Sequence, residues 1–321
     1  MANPELSVVV PAFNEEDNVA PMYERLVSAL QGIVGELEIV YVDDGSVDAT
    51  WERIVVLAER DPRVRGIRFA RNFGHQAALT AGVDAARGEA VVIIDADLQD
   101  PPEVVPEMVE RWRAGFEVVY GQREEREGET WFKRTTAAAF YRILQSITSV
   151  DIPVDTGDFR LLGPRAVAAF RALPERNRFI RGLVSWIGFE QTAVRYRRLA
   201  RHAGETKYPF KKMLRFALDG VTSFSFLPLR LATWIGFAVS AFAFLYIVVV
   251  LVLKALHINW PGYTSLMGSI LFLGGVQLIM IGIVGEYLAR IFEEVKRRPL
   301  YLVGGSTDGM TSVTPPERHV S

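Results

Sequence analysis

Closely spaced oxygen-bearing side chains follow the apolar, β-branched residues 90–94, where Asp95, Asp97 and Gln99 alternate with apolar residues. If the chain leaves a strand there in extended form, these three side chains point to one side. Carboxylate and amide oxygens suit a hard cation, Mg²⁺ or Mn²⁺, which completes its shell with diphosphate oxygens. We therefore expect a divalent metal at these residues, with Asp97 needed for catalysis.

The same segment has a structural alternative. Asp100 can cap a helix that begins at Pro102, and proline is favoured in the first turn of a helix. An isolated Asp-x-Asp pair also occurs in many proteins that bind no metal there. The position at a strand end favours the metal site, because ligands of open α/β sheets bind at that edge.

An aromatic residue and two acidic residues stand at the ends of the first two predicted strands. Phe13 and Glu15 come after the first strand, and Asp43 comes at the end of the second. A carboxylate at a strand end can accept hydrogen bonds from a nucleobase imide or from ribose hydroxyls. The alternative is N-capping of the next helix. The residues placed for capping are Asn14, Ser46 and Asp48.

Two common phosphate-binding motifs are missing from the chain. No Gly-x-Gly-x-x-Gly follows the first strand, which argues against a dinucleotide cofactor because the pyrophosphate would lose its close backbone approach. No Gly-x-x-x-x-Gly-Lys-Ser/Thr is present either.

Basic side chains that can bind a phosphate recur beyond the fifth predicted strand. Arg123 directly follows that strand, and a guanidinium donates hydrogen bonds to phosphate oxygens in pairs. The further basic residues are Lys133, Arg134, Arg201, His202 and Lys207. Any one of them is more often a solvated or headgroup-facing side chain, but the set fits an acceptor that carries a phosphate.

Two more residues are candidates for the same cleft. Asp158 stands in a Thr-Gly-Asp run before another apolar strand; turn formation alone would explain it, and the functional alternative is a base or a positioning group for the acceptor. His75 follows the third predicted strand and is equally consistent with a ligand and with a structural residue at a helix start.

Five apolar runs predict the strands that position these side chains. They span residues 6–10, 37–42, 64–69, 90–94 and 117–120. Helical patterns lie between them. Such alternation is typical of an α/β fold, a Rossmann-like, mostly parallel sheet with helices on both faces. We assign residues 1–206 to this domain.

A hairpin of two membrane-spanning helices is predicted within residues 229–289. The segments 231–253 and 262–285 contain no charged residue, and each holds about the 20 apolar residues that a bilayer crossing needs. Two buried core helices are the alternative, but core helices seldom run this long without a charged face.

The residues that flank the hairpin predict its orientation. Basic residues before it and after it outnumber those of the short connecting loop, which places the large domain and both termini in the cytoplasm. Apolar residues at helical spacing over 137–147 and 210–221 predict amphipathic helices, which pack on the soluble core or lie at the headgroup level. We assign residues 207–228 to an interface helix and 290–321 to a cytoplasmic tail, disordered after about 304.

Composition excludes several classes of function. The 321-residue chain has a net charge of −2 and no cysteine, so no general basic field favours nucleic acid and no thiolate chemistry or Cys-ligated zinc is available. The N-terminal residues do not resemble a cleaved signal peptide.

Six ordered motifs resemble the polyprenyl-phosphate glycosyltransferases, the inverting GT-A enzymes that include dolichol-phosphate mannose synthase and the bactoprenol glucosyltransferases. The motifs occupy residues 9–16, 42–46, 71–74, 95–102, 156–161 and 285–296. The similarity extends over nearly the whole chain. The hairpin, with the run 272–277, looks most like the bactoprenol glucosyltransferase branch, whose members are often tetramers.

The resemblance implies a role for each candidate residue. Asp95, Asp97 and Gln99 would hold the metal against the donor diphosphate, and Asp158 matches the family's proposed catalytic aspartate. The nucleotide pocket would be lined by Pro11, Phe13, Glu15 and Asp43, together with Asp95 and Asp97. The lipid phosphate would be held by Arg123, Arg134 and Lys207.

The reaction implied is transfer of a single sugar, with inversion, from a nucleotide sugar to undecaprenyl or another polyprenyl phosphate at the inner membrane. UDP-glucose is the first donor expected, with GDP-mannose and UDP-amino sugars as alternatives. The missing Gln-x-x-Arg-Trp motif of processive synthases favours a single transfer. A homo-oligomer is expected.

Two other classes of protein deserve comparison. A nucleotidyltransferase, or a glycosyltransferase with another acceptor, would share the acidic strand ends but would not explain phosphate-binding residues beside a membrane hairpin. A transporter or flippase would explain the hairpin, yet its two helices lack the ionisable residues of a polar pathway.

Overall fold

Strands and helices alternate in the order that the sequence predicts. A computed structural model of the chain describes residues 4–124, 156–176, 178–198, 227–256 and 262–309. The strands are β1 (Leu6–Ala12), β2 (Leu37–Asp43), β3 (Val64–Phe69), β4 (Ala90–Ile93), β5 (Val118–Arg123), β6 (Thr156–Leu162), β7 (Gln191–Tyr196) and β8 (Val303–Ser306). The helices are α1 (Val19–Leu30), α2 (Thr50–Arg60), α3 (His75–Ala85), α4 (Val105–Arg113, after a 3₁₀ turn at Pro102–Val104), α5 (Pro164–Ala172), α6 (Ile180–Ile187), α7 (Leu227–Ala255) and α8 (Tyr263–Lys296).

All eight described strands form one sheet in the order β7-β5-β6-β4-β1-β2-β3-β8. The neighbours β4, β1, β2 and β3 are parallel, and β5 is parallel to β7. Strand β6 runs antiparallel between β4 and β5, and β8 runs antiparallel to β3. The carboxyl ends of β1 to β5 and β7 therefore meet the amino end of β6 at one edge of the sheet.

Helices cover both faces of the sheet, which confirms the predicted α/β fold. Leu6, Val8 and Val10 point to one face and share a buried cluster with residues of α1, α2 and α4. Val9 points to the other face, against α3, where a Cβ added to Gly82 would lie 2.1 Å from Val9 Cγ1. Glycine permits this close approach of α3 to the sheet.

The segment after α8 is ordered, and the predicted disorder after about residue 304 is wrong for residues 304–309. Val303–Ser306 forms β8, and Tyr301 is buried (1% exposed). The Val-Gly-Gly-Ser sequence of β8 has no apolar pattern to predict it. An edge strand is held by its backbone hydrogen bonds to a single neighbour, so composition is a poor guide to such a short strand.

A largely buried ion cluster joins the turn after β8 to the start of β3. Arg65 Nη1 lies 2.7 Å from Glu38 Oε1, and Arg65 Nη2 lies 2.8 Å from Asp308 Oδ2. Glu38 also accepts hydrogen bonds from the Ser7 hydroxyl and from Arg87 N. Because Arg65 and Glu38 are nearly inaccessible to water, each needs the other as its counter-charge.

Replacing Arg65 with alanine is expected to lower the free energy of unfolding by about 3–5 kcal/mol, because Glu38 would stay buried without its partner. Denaturant unfolding of the detergent-solubilised protein measures the change. Arg113→Ala is the matched control, since Arg113 pairs with Glu5 on the surface and such pairs contribute about 1 kcal/mol or less. Equal losses in both variants would contradict the cluster's role.

The helices α7 and α8 form a second compact unit, and residues from 298 onward belong with the sheet. Within α7 and α8, Leu229–Ala255 and Leu266–Lys296 are long and apolar enough to cross a membrane, and none of the residues in their most apolar windows is buried. The predicted segment 231–253 falls inside α7, and the predicted segment 262–285 begins one residue before α8. Helix α8 continues to Lys296, so the predicted tail from residue 290 begins as helix.

Candidate active site

The loops after β1 and β2 are hydrogen-bonded to each other at the carboxyl edge. Asn14 N donates to Ser46 Oγ at 2.9 Å, and Val47 N donates to Asn14 Oδ1 at 3.0 Å. The suggested capping roles of Asn14 and Ser46 are therefore wrong: α1 begins at Val19, α2 begins at Thr50, and neither N-cap residue makes a side-chain capping bond. The two side chains instead fix one loop against the other.

The predicted nucleotide-pocket residues differ in exposure. Pro11 is buried within β1, and Phe13 presents an aromatic side chain that is 45% exposed. Glu15 accepts a hydrogen bond from Asn18 Nδ2. Asp43 is fully buried; its Oδ1 accepts a hydrogen bond from Ser46 N at 2.9 Å, and its Oδ2 lies 3.3 Å from Arg68 Nε.

Asp44 has a structural role that the sequence analysis missed. Its carboxylate accepts hydrogen bonds from Phe73 N at 2.7 Å and from Gly74 N at 3.0 Å. Burial raises the pKa of Asp44, and these two backbone N–H groups oppose that rise. The loop after β3 is thereby held against the loop after β2. The alternation of side chains along β2 was the available clue, since neighbours at a strand end point in opposite directions.

Gly45 allows the close approach of these two loops. Its φ is +71°, and an added Cβ would lie 2.5 Å from the backbone carbonyl carbon of Arg71. Gly45→Ala is expected to destabilise the protein by about 2 kcal/mol or more, because backbone strain and a backbone clash add together. Gly32→Ala is the matched control: Gly32 has φ +75° and no atom within 4 Å of the added Cβ, so strain alone should cost about 1–2 kcal/mol. Denaturant unfolding compares the two, and an equal loss would contradict the clash.

The Asp95–Gln99 segment is a turn rather than the extended chain that we predicted. Strand β4 ends at Ile93 and Leu98 has φ +59°. Asp97 is buried and its Oδ1 accepts a hydrogen bond from Gln99 N at 3.1 Å. Asp95, Asp97 and Gln99 therefore lie in one turn, which the Asp97 side chain stabilises. The predicted alternation along an extended strand does not apply to Gln99.

Acidic oxygens without hydrogen-bond partners lie in this region. Asp95 Oδ1 and Asp100 Oδ2 are buried and accept no hydrogen bond, and the Asp95 oxygen lies 3.5 Å from His75 Nε2. Burial raises the pKa of Asp95 to about 6; His75 opposes the rise, and the nearby Asp158, Asp100 and Asp97 add to it. A cation would relieve both the repulsion and the missing contacts. In the described part of the chain no three acidic or His side chains form a complete metal site.

Asp158 lies at the amino end of β6 with several donors around its carboxylate. Arg181 Nε lies 2.9 Å from Oδ1, while His75 Nε2 and Gln76 Nε2 lie 3.3 and 3.4 Å from Oδ2. Burial would raise the pKa of Asp158, but Arg181 and His75 hold it well below its usual range. Gln76 Oε1 also accepts a hydrogen bond from Ile180 N at 3.0 Å, so Gln76 connects the first turns of α3 and α6.

The Arg123 guanidinium lies beside the carboxylate of Asp100. Asp100 Oδ1 accepts a hydrogen bond from the Tyr196 hydroxyl and lies 3.7 Å from Arg123 Nη2 and 3.9 Å from Arg198 Nε. Arg123 Nη2 also occupies the space that a Cβ at Gly157 would need, at 2.7 Å. Asp100 thus contacts residues at the ends of both β5 and β7. It does not act as the helix cap considered above, because the 3₁₀ turn has Pro101 at its N-cap.

The site combines acidic and basic groups at one sheet edge. The carboxylates of Asp95 and Asp97 suit a cation, and Arg123, Arg181 and Arg198 suit phosphate oxygens. The predicted phosphate ligands Arg134 and Lys207, and both predicted amphipathic segments, lie outside the described residues.

With its mostly parallel sheet and acidic carboxyl edge, the chain belongs to glycosyl transferase family 2, whose model matches residues 7–169. It is therefore a glycosyltransferase. A second model, the GtrB C-terminal hairpin, matches residues 227–291, which cover α7 and most of α8. The resemblance drawn from the six motifs is confirmed.

Three relatives are similar over almost their whole length. The uncharacterized glycosyltransferase YkcC of Bacillus subtilis is 50% identical over 93% of this chain and 93% of its own. The SfII prophage-derived bactoprenol glucosyl transferase of Shigella flexneri is 45% identical over 95% and 99%. The prophage bactoprenol glucosyl transferase homolog of Escherichia coli K12 is 43% identical over 93% and 98%.

Proposed function

We propose that this glycosyltransferase transfers one sugar from a nucleotide-sugar donor, UDP-glucose first, to undecaprenyl or another polyprenyl phosphate. The observation that carries the proposal is the similarity to bactoprenol glucosyl transferases over 98–99% of their length, hairpin included. In such a chain the sheet domain would bind the donor, and the apolar helices would hold the protein at the membrane, where a lipid acceptor lies. GDP-mannose and UDP-amino sugars remain the alternative donors.

In the proposed reaction, an oxygen of the acceptor phosphate attacks the anomeric carbon while the bond from that carbon to the donor diphosphate breaks. The leaving nucleoside diphosphate keeps the electron pair, and a single displacement inverts the configuration. The acceptor phosphate is already ionised near neutral pH, so no strong general base is required. The contacts of the Asp158 carboxylate with His75 and Arg181 support a positioning role for that residue.

Asp95 and Asp97, with Gln99, would hold Mg²⁺ or Mn²⁺ against the donor diphosphate. The metal, when bound, neutralises charge that develops on the leaving diphosphate. The buried Asp95 Oδ1, which accepts no hydrogen bond and has His75 Nε2 at 3.5 Å, supports this assignment. Arg123, with Arg134 and Lys207 by resemblance, would orient the acceptor phosphate, and Phe13 and Asp43 would contact the nucleoside.

We propose that α7 and α8 cross the inner membrane and that catalysis takes place on the cytoplasmic side. Strands β7 and β8 belong to one hydrogen-bonded sheet, and the chain between them includes both helices, so both ends of the hairpin return to the same side. Basic residues near those ends favour the cytoplasmic side. They are Arg230, Arg290, Lys296, Arg297 and Arg298.

A donor panel tests the proposal. Purified protein is incubated with undecaprenyl phosphate, Mg²⁺ or Mn²⁺, and radiolabelled UDP-glucose, GDP-mannose or UDP-amino sugars. Label should enter the lipid fraction with one donor, and chelation of the metal should stop it. Label in another fraction, or none with any donor, would overturn the proposal. Light scattering in detergent tests the tetramer expected by resemblance.

A further inference from the structure

The segment that follows the hairpin packs beside the loop after β3. Tyr301 stacks on Phe69, with ring centroids 4.9 Å apart and ring planes 15° apart. Phe69 in turn contacts Phe73 edge to face at 5.7 Å. Ala70 N donates a hydrogen bond to Leu302 O at 2.9 Å. A continuous series of contacts therefore leads from the post-hairpin segment to the loop that Asp44 holds.

A second series of contacts leads from β8 to Asp43. Gly305 pairs with Arg68 in the sheet, and a Cβ added to Gly305 would lie 3.7 Å from Trp51. The Arg68 guanidinium lies over the Trp51 ring at 5.9 Å and donates to Ser46 O at 3.4 Å. Its Nε lies 3.3 Å from Asp43 Oδ2.

Both series of contacts end in the same half of the cleft. Asp43 is the last residue of β2 and Asp44 follows it. Strand β2 lies next to β3, whereas β4, which precedes the acidic turn, lies two strands beyond β2 in the sheet. The post-hairpin segment is therefore placed to affect the nucleoside half of the cleft more than the half with Asp95 and Asp97.

We infer that residues 301–306 form a positioning element for the donor nucleotide, with Tyr301 as its main positioning residue. The inference rests on the proposed function, because Asp43 and the loop after β3 contact the nucleoside only if the donor binds there. Tyr301 touches no substrate; it acts through Phe69 and Phe73 on the loop. Loss of the Tyr301 ring lets that loop move and weakens nucleotide binding.

Three variants of the full-length, detergent-solubilised protein test the inference. Tyr301→Ala removes the stacked ring, and Tyr301→Phe keeps it. Asp308→Ala removes an ion pair with Arg65 two residues beyond this element, at the opposite end of β3. Calorimetric titration with UDP and GDP measures nucleotide affinity directly, and steady-state kinetics measure KM for donor and acceptor.

Tyr301→Ala is expected to weaken nucleotide binding and raise donor KM by about three- to tenfold, because an aromatic pair contributes on that scale. Acceptor KM and kcat should stay within about twofold. Tyr301→Phe should bind nucleotide as tightly as the parent protein. Asp308→Ala should lower the unfolding temperature without changing nucleotide affinity.

The inference would be overturned if Tyr301→Ala bound nucleotide as tightly as the parent protein. An equal loss of affinity in Tyr301→Ala and Asp308→Ala would also overturn it, because a general loss of stability would then explain both. An unchanged protein that binds neither nucleotide would instead count against the proposed function.

Discussion

Replacing Asp97 with alanine is expected to lower sugar transfer by about 10³-fold or more while the protein stays folded. Asp97 would be a metal ligand, and the loss of a group that stabilises transition-state charge has effects of this size. The variant also loses the hydrogen bond to Gln99 N, so the turn that carries the other two predicted ligands loosens. These effects act on the same step.

Transfer of labelled sugar to the lipid, measured over a range of Mg²⁺ or Mn²⁺ concentrations, checks this expectation. Glu110→Ala is the control, since it removes a carboxylate from the exposed side of α4 and should leave transfer unchanged. Circular dichroism confirms that both variants are folded. Metal-dependent turnover by the Asp97 variant at a rate near that of the unchanged protein would refute the metal assignment.

Asp158→Asn is expected to lower kcat/KM by about 10- to 100-fold. The carboxylate is a counter-charge for Arg181 and for His75, and an amide of the same shape cannot replace that charge. If Asp158 only positions these groups, the pH dependence of kcat/KM should still have an acidic limb in the variant. If Asp158 is a general base, the acidic limb of the profile should disappear.

A double-mutant cycle with Arg181→Gln separates these two roles further. Two residues that act as one unit give losses that do not add, so the double variant should be no slower than the slower single variant. Fully additive losses would contradict the positioning role. Arg165→Gln is a control, because its guanidinium packs over Phe189, away from Asp158.

The sequence was sufficient to predict the parallel half of the sheet because its strands are continuous apolar runs. All seven residues of β1 are buried, and such a run can hardly be anything other than a central strand. The same logic located Asp43 and Asp95, since each stands at the end of such a run. The two long apolar helices α7 and α8 were equally easy to predict, because each contains a long segment without charged residues.

The partners of each side chain could not be predicted, because they come from distant parts of the chain. Arg181 reaches Asp158 across 23 residues, and Gln76 reaches it across 82. Asp100 was a candidate cap for a helix beginning at Pro102, yet it contacts Tyr196 and Arg123. Local sequence predicted where the strands end; it did not predict which side chains meet across strands.

Strand β8 also has a consequence for the order of events during synthesis. Gly66 and Thr307, which bond across the β3–β8 pair, are separated by 241 positions. The ribosome must therefore finish both apolar helices before β3 gains its second neighbour, and until then β3 presents an open edge that can pair with other chains. Closing so long a loop is slow. Pairing of β8 with β3 is thus a late folding step, which takes place only after both apolar helices have been synthesised.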